Sequence, residues 1–247
     1  MAEEISIRVN FSRPLPLFPL PQVVMLPQQI TPLHIFEPRY RQMVDRTLDG
    51  AGQIAMATFA DRAGSDDTRR ESPGGPPLKP AVCVGQIVQH EKLDDGRYNI
   101  ILQGVCRARI VEESEPGGDF GGDRLYREAL LEPIGGDDDD PSEFSERADR
   151  FRGWLREQLG QGSLKRLTAA DEIMQLVVNE QIPSPVLVEI ISFALVTDDA
   201  TRYALLAEGR LDERTSIVRD SLDGLVSLIR RAVEQKPGEW PKGTSWN

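Results

Sequence analysis

The stretch TPLHIFEPRYRQMV, residues 31–44, changes period in its middle, and that change decides the fold. Through Phe36 it alternates, with Leu33 and Ile35 on one face and His34 and Phe36 on the other, as in a strand. After Glu37 the spacing lengthens: Tyr40, Met43, Val44 and Leu48 fall at helical intervals, Pro38 suits a first helical turn, and Gly50 suits the stop. The segment is therefore a strand running into a helix. Glu37 sits where exposed amides and the helix dipole favour a carboxylate. That reading gives Glu37 a capping or electrostatic role and His34 a packing role. An acid–base pair of the two lacks the further groups that such chemistry needs.

Working outward, the first half reads as strands. Upstream, prolines at 14, 16, 19, 21, 27 and 32 rule out central strands and predict short, edge-like or bulged ones: LPLFPL (15–20), VVML (23–26) and TPLHIF (31–36). Downstream, QIAMATFA (53–60), AVCVGQIVQHEKL (81–93), GRYNIILQGVCRARIVEES (96–114) and LYREALLEPI (125–134) are strand candidates. LDDGRY (93–98) is a hairpin signal, because Asp-Gly accepts the positive φ of a tight turn. Residues 61–80 and 115–123 are polar, glycine-rich loops. About six strands with a single helix suggest a small closed or half-open β-barrel over residues 1–134.

The run GGDDDDPS, 135–142, reads as an acidic linker, and helices follow over 143–235. Phe144, Ala148, Phe151, Leu155 and Leu159 form an apolar stripe behind Ser142 as a cap. Thr168 and Asp171 match a capping box before Ile173. Ser184-Pro185 opens another helix, DATRYALLAEG a short one, and the last runs from about 212 to 232. Residues 236–247 read as a flexible tail carrying Trp240 and Trp246. The fold class is thus α+β, a barrel followed by a helical bundle.

Composition bounds the function. The 247 residues carry 40 acidic and 29 basic side chains, a formal net charge of −11. That balance argues against nucleic acid, which needs a concentrated basic face. The N-terminus lacks a signal peptide's basic region and apolar core, and no apolar run reaches the ~20 residues of a membrane span. Cys83 and Cys106 lie in apolar strand-like runs without a CxxC, so they read as small buried hydrophobes in a reducing cytoplasm. No Gly-Lys dipeptide, GxSxG or HExxH occurs, which removes the P-loop, the nucleophile elbow and the zincin motif. GAGQIA at Gly50 lacks the third glycine of a dinucleotide fingerprint and lies between a helix and a strand, in reverse order. Counted from Asp137, an EF-hand would need Gly at Ser142 and Glu at Ala148. His34 and His90 imply no metal site by spacing, and no cofactor is expected.

The proline-punctuated LPLFPLPQVVMLPQQITPLHIFEPRYRQMV (15–44) and the later VGQIVQHEKLDDGRYNIILQGVCRARIVE (84–112) together resemble the Lon N-terminal, or Lon substrate-binding, domain family. Gly85, Gly96, Gly104, Arg107 and Arg109 stand at the matching positions. The likeness is specific over 13–134 and looser over the helical segment LVEIISFALVTDDATRYALLAEGRLDERTSIVRDSLDGLV. It implies a PUA-like barrel and a helical bundle, standing alone without the ATPase and Ser/Lys peptidase of full Lon proteases. It implies a non-enzymatic module that binds a polypeptide or protein partner, an adaptor or regulator of proteolysis. Whether a small molecule binds as well is left open. Phe36, Arg39 and Tyr40 are the candidate binding residues. Two other readings stay open: RNA binding through the barrel, and an enzyme using Glu37, Arg39 and acidic residues near 61–80.

Overall fold

The structure, a computed structural model, describes residues 7–21, 23–60, 75–117, 122–135 and 141–234, without the side chains of 141–145. Two compact units divide the chain: Met1–Asp139 with Ser192–Arg210, and Asp140–Ile191 with Leu211–Asn247.

The first unit holds β1 (Leu15–Leu20), β2 (Ile30–Ile35), α1 (Pro38–Leu48), β3 (Gln53–Thr58), β4 (Ala81–Lys92), β5 (Tyr98–Ser114) and β6 (Glu128–Pro133). The strand order is β2-β5-β4-β3-β1-β6, and β6 pairs again with β5. Five strands thus close on themselves, and β2 stands outside the ring. The 17-residue β5 makes this possible. Its first part pairs with β2 from Tyr98 to Gln103, and its last part pairs with β6 from Ala108 to Ser114. β1 runs parallel to β3; every other pair is antiparallel. The interior of the ring is packed by Leu15, Leu17, Val82, Val84 and Leu131, with Ala55, Ala57, Ala108 and Ala129 between them. Four alanines suit so narrow a ring, because larger side chains would overpack it. On its outside, α1 sets Tyr40 edge-on against Phe18, ring centroids 4.5 Å apart.

Residues 23–26 are no strand, contrary to the sequence expectation. Their polar backbone groups are met by side chains and a turn instead of a ladder. Thr58 Oγ1 donates to the Val23 carbonyl at 2.8 Å, and Arg202 Nη2 to that of Val24 at 2.9 Å. The Leu26 amide donates to Gln29 Oε1, while its carbonyl accepts from the Gln29 amide. Val24, Met25 and Leu26 are therefore buried as an irregular segment.

The first unit also includes the end of α4 (Ser184–Leu195) and all of α5 (Asp199–Ala207). The expected helical domain, 143–235, included 192–210; here that stretch groups with the strands. Side chains of α5 and backbone of the sheet explain why. Tyr203 Oη accepts from the Ala81 amide at 2.9 Å, and Arg107 Nε donates to the Leu205 carbonyl at 2.9 Å. Arg202 also donates to the carbonyls of Phe193 and Val196 and to Gln29 Oε1.

The second unit comprises α2 (Pro141–Gly160), a 3₁₀ turn (Ser163–Arg166), α3 (Ala170–Val178), α4 through Ile191, and α6 (Leu211–Glu234). The expected stripe is buried at Ala148, Phe151, Leu155 and Leu159. The proposed capping box is not formed: Ala169 is the N-cap of α3 and no side chain caps it. The preceding 3₁₀ turn leads into the helix through its C-cap Leu167, whose carbonyl accepts from the Ala170 amide. Phe144, the Ser142 cap, most of the acidic linker and the tail fall outside the described residues or side chains.

Candidate functional site

Among the described residues β5 is the one strand neighbour of β2, so the other edge of β2 has no strand partner, and the side chains of Ile30, Pro32, His34, Asn99 and Glu91 on one face of the β2-β5-β4 sheet are exposed. Alternation sorts the side chains. Ile35, Tyr98, Ile100 and Leu102 turn inward and are buried. The opposite face carries the register rows His34–Asn99–Glu91 and Pro32–Ile101–Gln89. These six residues line a shallow cavity of about 360 Å³.

The polar row is tightly connected. His34 Nδ1 lies 2.8 Å from Asn99 Oδ1, and Arg97 Nη1 lies 3.2 Å from His34 Nε2. Arginine only donates, so Nε2 accepts and Nδ1 donates to the Asn99 oxygen. Asn99 Nδ2 in turn donates to Glu91 Oε2 at 2.9 Å. Arg97 is held by Asp95 at 2.6 Å in the hairpin turn, where Gly96 takes φ 78°. The imidazole is therefore oriented by its neighbours and not packed in the core as the sequence suggested. Phe36 stacks on it, centroids 6.3 Å apart. Glu37, the N-cap of α1, pairs with Arg39 at 2.8 Å, so His34 and Glu37 engage separate partners.

The three residues singled out from sequence have different fates. Phe36 is 61% exposed, and Arg39 is at the surface. Tyr40 is 4% exposed: its ring packs on Phe18 and its hydroxyl donates to the Pro19 carbonyl at 3.5 Å. Tyr40 is thus a core residue of the helix–strand packing. Burial raises its phenol above the ordinary value. Ile30, 63% exposed at the start of β2, belongs to the face and was missed by the sequence reading. Asn99, Glu91 and Arg97 were missed too. The hairpin signal could have set Asn99 opposite Glu91, but nothing in the sequence fixes the register of β2 on β5.

The glycines of the sequence signature are explained by space. A Cβ on Gly104 would stand 2.3 Å from the Leu26 carbonyl oxygen, and one on Gly85 would meet the Leu102 side chain at 2.7 Å. Arg107 is 7% exposed and Arg109 pairs with Glu132 at 3.3 Å. Cys83 pairs with Arg107 and Cys106 with Val84 in the β4–β5 register, so the two thiols lie on opposite faces of the sheet.

Another hollow, of about 350 Å³, lies beside Arg13, Arg46, Gly50, Tyr126 and Glu128. Its charged groups are largely spoken for: Arg46 pairs with Asp123 at 2.5 Å and Glu128 with Arg124 at 3.4 Å. Among the described residues no group of three or more His, Cys, Asp or Glu could hold a metal ion. No described helix is long and apolar enough to cross a membrane.

An α+β unit of a small closed strand set with an outlying edge strand, joined to a set of helices, is the architecture of the N-terminal domains of Lon proteases. It is found in that of the Mycobacterium avium complex Lon protease (TM-score 0.61, 16% identity, 85% of this chain and 97% of that one). The Lon N-terminal domain protein from Xanthomonas campestris shares it too (TM-score 0.51, 19% identity, 87% and 98%). The profile of the family described as the ATP-dependent protease La (LON) substrate-binding domain matches residues 14–224, and this chain belongs to that family. Among sequence relatives, the Lon protease of Trichlorobacter lovleyi is 34% identical over 122 residues, covering 49% of this chain and 14% of that protein. The Lon protease of Geobacter metallireducens is 29% identical over 229 residues, covering 90% and 26%. The chain therefore spans a minor part of the length of these relatives.

Proposed function

We propose that this protein recognises polypeptide segments, as an adaptor or regulator of proteolysis, and that the open face of β2-β5-β4 is where it does so. The observation that carries this reading is the face itself: exposed Ile30 and Phe36 flank an ordered polar row on a sheet whose last strand, β2, has one edge without a strand partner among the described residues. Exposed apolar groups on a rigid scaffold are the usual mark of a protein-binding surface. The family's name, substrate-binding domain, agrees with it.

The test is capture of a permanently unfolded polypeptide, reduced and alkylated α-lactalbumin, by the immobilised full chain. Binding in the micromolar range is expected, falling about tenfold in Phe36→Asp. No retention at any accessible concentration would overturn the reading. Glu37→Gln is expected to leave polypeptide capture unchanged, because the Glu37 carboxylate is bonded to Arg39.

A further inference from the structure

We infer that the occupant of this site is an extended, uncharged, apolar segment that adds to the outer edge of β2 as a further strand. The inference rests on the polypeptide-recognition reading above and specifies its partner and its geometry.

The hydrogen bond that ends the β2–β5 ladder fixes which residues of β2 face outward. The Gly104 amide donates to the Gln29 carbonyl at 2.8 Å, and the β2–β5 register then runs Thr31↔Leu102, Leu33↔Ile100 and Ile35↔Tyr98. In an antiparallel ladder, bonding alternates residue by residue. Residues 29, 31, 33 and 35 therefore turn their backbone groups to β5, and Ile30, Pro32 and His34 turn theirs outward. The proline falls on the outward row, where its missing N–H breaks no bond of the sheet. The open edge consequently offers two amides, of Ile30 and His34, and three carbonyls, of Ile30, Pro32 and His34. A strand laid along it satisfies these groups and brings its own side chains beside Ile30, Pro32, His34 and Phe36.

Charge selects the segment. The protein carries a net charge of −11, yet residues 30–36 contain no Asp, Glu, Lys or Arg. The charged groups that border the strip have partners within the protein: Arg97 with Asp95, Arg39 with Glu37, Lys92 with Asp45, and Glu91 with Asn99. A charge on the incoming strand would be desolvated here without a counter-ion, which is unfavourable. A second copy of the chain fits poorly. Antiparallel self-pairing centred on β2 sets Pro32 against Pro32, two residues without a donor, at the middle of the ladder.

The experiment measures binding of the full chain, by fluorescence anisotropy, to a capped, labelled ten-residue peptide alternating valine with serine or threonine. Saturable binding is expected. N-methylation of two adjacent central amides, which blocks both peptide edges, is expected to weaken it about tenfold. Ile30→Asp, at an exposed position where circular dichroism checks folding, is expected to weaken it by a similar factor. Pro32→Ala supplies the missing edge donor and is expected to tighten binding about threefold or more. Docking through side chains alone would instead lose affinity in Pro32→Ala for want of apolar area. Equal affinity for the N-methylated peptide, or a loss in Pro32→Ala, overturns strand addition. Polypeptide recognition still stands in that case if unfolded α-lactalbumin is captured. Failure with every peptide and with the unfolded protein overturns both. A dimer in sedimentation that dissociates on Ile30→Asp identifies a second copy as the occupant and also overturns the inference.

Discussion

Gly104 carries no side chain because the Leu26 carbonyl occupies the place of one. The clash is with backbone, which cannot swing away as a flexible side chain can. Gly104→Ala is expected to destabilise the fold by about 2–3 kcal/mol, read as a lowered midpoint in urea. A shift below a few tenths of that would mean the 26–29 segment is free to move. Arg202 is the opposite case, a long side chain that satisfies the carbonyls of Val24, Phe193 and Val196. Arg202→Met keeps the bulk and removes the donors, and is expected to cost about 2–4 kcal/mol. Burial pushes the Cys106 thiol up to about 11. It stays protonated at pH 8 and is expected to be alkylated by iodoacetamide far more slowly than in the urea-unfolded chain, as followed by mass spectrometry. At this scale the sequence was informative about residue type and silent about distant neighbours. It marked Gly104 and the burial of Cys83, while Cys106 is half-buried. Its periodicity set Tyr40 on the apolar stripe of α1, the side that packs on Phe18, although Tyr40 was also named among the binding candidates.

The elements with strong local patterns were legible. β1, α1, β4 and β5 follow their alternation or helical spacing nearly to the residue, and the Asp-Gly turn has the positive φ that its chemistry requires. Two failures share a cause. VVML has the composition of a strand, but its backbone groups are met by Thr58, Arg202 and Gln29, none of them local ladder partners. Thr168 has the spacing of a cap, but the turn before α3 already supplies the entry. The face formed by β2, β5 and β4 needed a register that no local signal encodes. α5 has a cap that works: the Asp198 carboxylate accepts from the Thr201 hydroxyl at 2.6 Å and from its amide at 2.7 Å. These bonds hold its carboxyl below the ordinary value of 3.8. The folded state thus favours the ionised form, so the cap's contribution is complete above that value and is lost as the pH falls through the lower folded one. Amide exchange at Thr201 is expected to gain protection on going from pH 2.5 to pH 5 once corrected for intrinsic rates, and Asp198→Asn is expected to flatten that change.

The order of the units along the chain has effects of its own. The strand unit is assembled from Met1–Asp139 and Ser192–Arg210, with helical-unit residues before and after the second piece. A fragment of residues 1–139 retains all six strands but loses Tyr203 from the Ala81 amide and Leu205 from Arg107. It is expected to melt at a markedly lower temperature than the whole chain, or to be recovered unfolded, since buried groups are left without partners. Equal melting temperatures would show that α5 adds nothing to the strands. The sequence boundary at residue 135 could not foresee this, because a helix that returns to an earlier unit is read as continuous with its helical neighbours.

The same interleaving makes the polypeptide a candidate for reassembly from halves. Cut once between residues 139 and 140, the downstream piece still carries the helix that completes the upstream piece, so cleavage changes a unimolecular closure into a concentration-dependent association without deleting a single contact. Co-expressed halves would then titrate one another like ligand and receptor, and the donors and acceptors contributed by Tyr203 and Arg202 would set their dissociation constant.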